Sequence, residues 1–222
     1  MIHQTAVVEP GAQIDPSAEI GPFCYISSQA KIGANCRLLA RVTILGNTTL
    51  GEGNIVFPNA CLGGGPQDHG NEFQPDARLI IGNRNVIREN ATMHAGTPKG
   101  QTSINGEEPE KLTTRVGSDG MFMVNSHVAH DCVVGDNVIM TNNSVIGGHV
   151  RLGDGVILGG NSAVHQFVRI GRKAMIGGLT GITRDVIPFG MVTGDRGYLR
   201  GLNQIGMKRG GYDEHTVKSV VR

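Results

Sequence analysis

The stretch Val134–Leu152, VGDNVIMTNNSVIGGHVRL, places an apolar residue at every sixth position: Val134, Met140, Ile146 and Leu152. Outward from it, the same phase runs back through Val128 and Phe122 to Val116. It runs forward through Leu158, Val164, Ile170 and Ile176 to Ile182. It also holds from Ile2 to Leu62, and again at Ile81, Ile87 and Met93. All 26 hexads have an apolar lead residue, so the period is not a local accident. A helix would repeat near 3.6 and a half-buried strand at 2. A strict period of six predicts a parallel β-helix.

Strand alternation points the lead inward, together with the residue two places before it. That second slot holds small residues such as Ala18, Ala30, Thr48 and Ser162. Cys24, Cys36 and Cys132 fall in the same slot, which reads them as buried fillers rather than a disulfide set. A reduced, cytoplasmic protein is expected. The fourth place of the hexad is often Asn or Gly, as at Asn35, Asn47, Gly53, Asn137, Asn143 and Asn161. These types tolerate the positive φ that a sharp corner needs.

The register breaks twice, giving inserts near 63–80 and 94–115 of loop-like composition. Long loops in a compact repeat are usually functional or disordered. Residues 1–187 are therefore expected to form the β-helix and 188–222 a short C-terminal helical segment, with Pro188 marking the break. One helix is predicted over Leu199–Arg209, ended by Gly210-Gly211. Asp213 is placed to cap a second, with Val217, Val220 and Val221 on one side. The tail is expected to be very small or cut short.

Charge is balanced, 20 Lys+Arg against 19 Asp+Glu, so there is no general electrostatic reason to expect nucleic acid or a membrane surface as partner. No apolar run approaches the ~20 residues of a membrane span. The N-terminus shows no basic segment followed by an apolar one.

The hexads resemble those of hexapeptide-repeat proteins, and the resemblance implies closure after three hexads, so that residues eighteen apart stack. The hexads led by Val128, Ile146 and Val164 then share a face. They bring together His130 with Asp131, Gly148 with His149, and His165 with Gln166. His127 lies just before them and His94 one coil earlier, and the loop carrying Gln67, Asp68 and His69 leaves from the same face. Imidazole is suited to taking a proton near neutral pH. Three readings remain open: general-base catalysis, a zinc site, or an inert solvated face. Gamma-class carbonic anhydrases resemble this architecture, but their His-x4-His pair is absent; the local pair is His127-x2-His130.

The run Asn125–Cys132 (NSHVAHDC) resembles the signature of the UDP-N-acetylglucosamine acyltransferases that begin lipid A synthesis. So do Gly147-Gly148-His149, Ala163–Phe167 (AVHQF), Ile81–Asn85 with Ile87-Arg88-Glu89, and Gly206–Arg209. That resemblance implies a homotrimer of left-handed β-helices with active sites between subunits. It implies transfer of a 3-hydroxyacyl chain from acyl carrier protein to the 3-hydroxyl of UDP-N-acetylglucosamine, with no metal and no cofactor. In it His130 is the general base, Asp131 orients it, and the Gly148 amide binds the oxyanion. Asp68, His127, His149, His165, Gln166, Asn203 and Arg209 match substrate-binding positions. A small residue at Gly178 goes with a longer acyl chain. Gly70, Ile205 and Gly210 depart from the family's pattern. Two partners are open to Asp131: His130, if the bend falls between them, and His149, eighteen residues on. A zinc hydratase, or a related acyltransferase using acyl-CoA or a 3-amino sugar nucleotide, is the alternative.

Overall fold

Most hexads form a strand of only two residues, an outward one followed by its inward lead, as in the exposed–buried pair Lys31–Ile32. The computed structural model describes residues 1–68, 74–100, 110–195 and 197–220. Its strands stack into three sheets, parallel apart from the last strand of the third. The first runs from Val7–Val8 to Gly181–Ile182, the second from Gln13–Ile14 to Arg169–Ile170, and the third from Glu19–Ile20 onward. Val128 lies against Ile146, and Ile146 against Val164, so the closure after eighteen residues is observed directly. The chain is a parallel β-helix.

The two inserts leave the stacking intact. Leu62 pairs with Met93 and Met93 with Val128, across longer sequence gaps. Both excursions leave after a first-sheet strand and return to a second-sheet one, Arg78–Ile81 and Thr113–Val116. They therefore leave and return at one corner of the prism, that between the first and second sheets.

The core is the column of leads and the small residues beside them. Ile26, Ile44, Ile87, Phe122, Met140 and Ile146 are wholly buried, as are Cys36 and Cys132. Burial pushes the Cys132 thiol up to about 12, so it stays protonated. Positive φ recurs at the fourth place of the hexad, at Asn35, Gly53, Asn137, Asn143 and Asn161 among others. Asn47 is an exception to the expectation. It opens a strand, Asn47–Leu50, and Gly46 takes the left-handed turn instead.

Beyond Pro188 the third sheet gains one more parallel strand, Gly190–Thr193, with Val192 beside Ile176. The expected helix over Leu199–Arg209 is corrected. Tyr198–Leu202 is a strand, antiparallel to Gly190–Thr193, and the helix α1 spans only Gln204–Arg209. The strand wins because pairing with a sheet edge satisfies the backbone of a segment whose interior Gly201 holds φ +141°. Asp213 caps α2 (Glu214–Val220), its Oδ1 accepting from the Thr216 amide at 2.7 Å. Val217 is buried against Met207 and Phe189, whereas Val220 is exposed and Val221 lies outside the described residues.

Candidate active site

The corner beneath the inserts carries the histidines. His130, Gly148 and Gln166 hold the third hexad place there, and Asp131, His149 and Phe167 the fourth. Those last three have φ of 58°, 62° and 67°. Side chains other than Gly, Asn or Asp adopt this region at a cost that other constraints must offset.

The left-handed bend at Asp131 turns its carboxylate back onto the preceding ring. His130 Nδ1 lies 2.8 Å from Asp131 Oδ2, and His149 Nε2 lies 3.8 Å from the same oxygen. Asp131 thus serves the first imidazole by hydrogen bond and faces the second at ion-pair range. It is fully buried. The Thr97 amide donates to Oδ1 at 2.8 Å and the Thr97 hydroxyl to Oδ2 at 2.6 Å, while the Asp131 amide donates to Thr114 Oγ1. Burial alone would raise the carboxyl's pKa. The hydrogen bonds from His130 and Thr97 outweigh burial and hold the carboxyl below its usual range. An ionised carboxylate only accepts, so Nδ1 of His130 carries the proton and Nε2 of the neutral ring keeps its lone pair.

Gly148 stands against that ring. A Cβ there would lie 2.6 Å from His130 Cε1 and 2.7 Å from Nε2, so only glycine leaves the imidazole its place. Apart from Ala95, which donates to the Gly64 carbonyl, the described amides at the third hexad place have no backbone partner on a neighbouring coil, which is why Pro10, Pro16, Pro22 and Pro58 fit the same place. Among the described residues no carbonyl accepts from the Gly148 N–H. It is a free donor beside a free base.

The other rings pack around this pair. His149 stacks on Phe167 at 4.4 Å between centroids and meets His130 edge-on at 5.1 Å. Burial lowers the His149 pKa despite the opposing pull of Asp131. His127 shares a hydrogen with Thr92 Oγ1 at 2.8 Å and meets His94 edge-on at 4.7 Å. Burial, with His130 nearby, lowers it as well. Burial, reinforced by His127 and His130, brings His94 down to about 4. Its buried Nδ1 has no hydrogen-bond partner among the described residues.

One cleft is lined by Gln67, Asp68, His94, His127, His130, Gly148, His165 and Gln166. Most of the residues read from the sequence therefore meet. Three do not. Asn203 is spent on structure: its Oδ1 accepts from the Gly206 amide and its Nδ2 donates to the Lys173 carbonyl, capping α1. Arg209 is exposed on the same helix, beside the corner between the second and third sheets. Gly178 sits at the remaining corner, where a Cβ would stand 3.2 Å from the Gly160 carbonyl oxygen. His69 and Gly70 lie outside the described residues.

His130, Asp131 and His149 offer ligand atoms within 4.8 Å of one another. The carboxylate's oxygens are already engaged by Thr97 and His130, however, so the arrangement is an oriented imidazole more than an open chelate. Two contributors escaped the sequence reading. Phe167 was findable, eighteen residues after His149 in a place usually held by Asn or Gly. Thr97, inside an irregular insert, gave no periodic signal.

The family model described as "Udp N-acetylglucosamine O-acyltransferase; Domain 2" matches residues 185–222. The acyl-[acyl-carrier-protein]–UDP-N-acetylglucosamine O-acyltransferase of Caulobacter vibrioides is 51% identical over 219 residues, covering 99% of this chain and 79% of the relative. That of Anaeromyxobacter sp. is 46% identical over 219 residues, covering 99% and 81%. The solved structure of LpxA from Acinetobacter baumannii matches with a TM-score of 0.92 at 39% identity, covering 99% of this chain and 81% of that one. The Francisella novicida UDP-N-acetylglucosamine acyltransferase matches with a TM-score of 0.92 at 36% identity, covering 100% and 77%.

Proposed function

The chain belongs to the acyl-[acyl-carrier-protein]–UDP-N-acetylglucosamine O-acyltransferases, and from that premise we propose that its chemistry runs through His130 and Asp131. It is an enzyme of lipid A biosynthesis that moves an acyl chain from acyl carrier protein to UDP-N-acetylglucosamine. The similarities are to O-acyltransferases and do not favour a zinc hydratase. The finer reading is a 3-hydroxyacyl chain delivered to the sugar's 3-hydroxyl.

The observation that carries the mechanism is the His130 Nδ1–Asp131 Oδ2 hydrogen bond of 2.8 Å, which leaves Nε2 free over the cleft. A sugar hydroxyl is a poor nucleophile until a base takes its proton. Nε2 takes it as the oxygen attacks the thioester carbonyl. Asp131 stabilises the imidazolium that forms. The Gly148 amide donates to the oxyanion of the tetrahedral intermediate. Collapse breaks the C–S bond, and the carrier's thiolate takes the proton back from Nε2. The thioester is already activated, so the scheme calls for no covalent enzyme intermediate, metal or cofactor. Asp68, His127, His149, His165 and Gln166 line the substrate's path.

Asn203 and Arg209 sit at a different corner, which suits a site shared between subunits of a homotrimer. On the third sheet the first two outward residues are Glu19 and Arg37, but from the third strand on Ile55, Val86, Met121, Ile139, Ile157 and Met175 form an apolar row that supports such an assembly. All four cysteines are free thiols, which suits the cytoplasm, where we place the enzyme. Among the described residues no helix is long and apolar enough to cross a membrane. Gly178, with no side chain at its corner, is assigned to a groove for a long acyl chain.

The test is His130→Ala, assayed with UDP-N-acetylglucosamine and a 3-hydroxyacyl carrier protein. Turnover should fall by roughly 10²–10⁴ with the fold intact by circular dichroism. Activity close to that of the unmodified enzyme would remove His130 from the base role.

A further inference from the structure

Thr97 spends every polar atom it has. Its amide and hydroxyl donate to the two oxygens of Asp131, at 2.8 and 2.6 Å. Its carbonyl accepts from the amides of Gly100 and Leu112, at 3.0 and 2.9 Å. Those last two bonds close the base of the second insert, one where the chain leaves and one where it returns to the second sheet. The same turn reaches a further site residue: Lys99 Nζ lies 3.7 Å from Asp68 on the first insert. Thr97 is 1% exposed, and Pro98 after it restricts its backbone to extended conformations. The donor pair is thus held at the base of the insert.

We propose that Thr97 is a positioning residue for acyl transfer, setting the plane of the Asp131 carboxylate and through it the His130 ring. A carboxylate rotates easily about its last bond. Two donors from one residue, one on each oxygen, stop that rotation, and the ring hydrogen-bonded to Oδ2 is held with it. Loss of such a hold costs rate more than binding, because the reacting atoms are misplaced while the substrate's other contacts persist. The inference rests on His130 as the base.

Thr97→Val removes the hydroxyl donor with little change of shape, and Thr97→Ser restores it. Steady-state kinetics with both substrates should show kcat about tenfold or more lower in Thr97→Val. The KM for UDP-N-acetylglucosamine should stay within about twofold, and Thr97→Ser should recover most of the loss. In an Asp131→Asn background Thr97→Val should cost little more, since the two act through one carboxylate. Should the valine variant not fold, Thr97→Ala reads the same way. An unchanged kcat, an equal loss in Thr97→Ser, a loss confined to KM, or full additivity with Asp131→Asn would each overturn the proposal. His130→Ala is measured in parallel. If it stays active the base assignment fails; if it is dead while Thr97→Val is unimpaired, only the role of Thr97 fails.

Discussion

A missing methyl at Gly148 and a missing partner at His94 show what this corner asks of single residues. The first gives the His130 ring its space, since a Cβ would stand 2.7 Å from Nε2. The second leaves a buried, neutral imidazole whose pKa is held down to about 4, chiefly by burial. The unfolded chain takes up that proton near 6.5, while the folded one refuses it until about 4. The stability His94 contributes is therefore intact above about pH 6.5 and lost as pH falls toward 4. The loss is on the order of 3 kcal/mol. His127 and His149, also lowered, push the same way. Urea unfolding at several pH values should show stability falling across that window, with a shallower slope in His94→Gln. An unchanged slope would show that His94 carries none of it. The residues of this corner were legible in the sequence because stacking at intervals of eighteen aligns 131, 149 and 167. What was not legible was which imidazole Asp131 serves. That depends on where the Asp131 carboxylate turns after its positive-φ bend, and on Thr97 from the insert, neither of which a period of six encodes.

The coil is held by more than its apolar leads. In the column where Cys36 stands, the next two coils place Asn54 and Asn85 inside, both fully buried. Asn54 donates to the carbonyls of Gly51 and Gly82, and its Oδ1 accepts from the amide and the side chain of Asn85. Asn85 in turn donates to the Gly117 carbonyl and accepts from the Gly120 amide at 2.7 Å. The next residue in the column is Gly120, whose missing side chain is replaced by the ring of Phe122. A buried polar network this fully paired is costly to cut. Asn85→Ala leaves the Gly120 amide and the Asn54 carbonyl oxygen short of partners. It should cost about 2–4 kcal/mol. For a chain of this size that is a melting point lower by roughly 5–10 °C. A shift within about 1 °C, read by scanning calorimetry, would mean the ladder is not what holds these coils. The strands themselves were legible, because a lead every sixth residue survives both inserts. Tyr198–Leu202 was not. Its two leucines and flanking turn fit a short helix equally well, and only the free edge of Gly190–Thr193 decides for a strand.

At the scale of the whole molecule, the proposed site residues are spread over three corners, and the proposed trimer is the arrangement that would bring them together. The first holds the histidines, the second bears α1 with Arg209, and the third carries Gly178. Period-six reading sorts residues onto faces, but it cannot say which outward row meets another chain. That is read from the row's chemistry. On the third sheet the outward neighbours Ile139, Ile157 and Met175 stack in register, coil upon coil, with no polar residue between them. The row is half-buried in a single chain, and the proposed trimer, a closed ring, would cover it in each copy at once. Replacing Ile139 and Ile157 by Glu changes two outward positions and leaves the inward leads Met140 and Leu158 untouched. The variant should keep its β-rich circular dichroism, sediment at the mass of one chain, and lose turnover although His130, Asp131 and Gly148 are all present. On the proposed trimer, loss follows because Asn203 and Arg209 of a neighbouring copy would no longer be brought to the cleft. If the variant sediments as a trimer, the row is not the interface. If it sediments as a monomer and keeps full activity, one chain holds a complete site, and Arg209 and Asn203 must act from where they are or not at all.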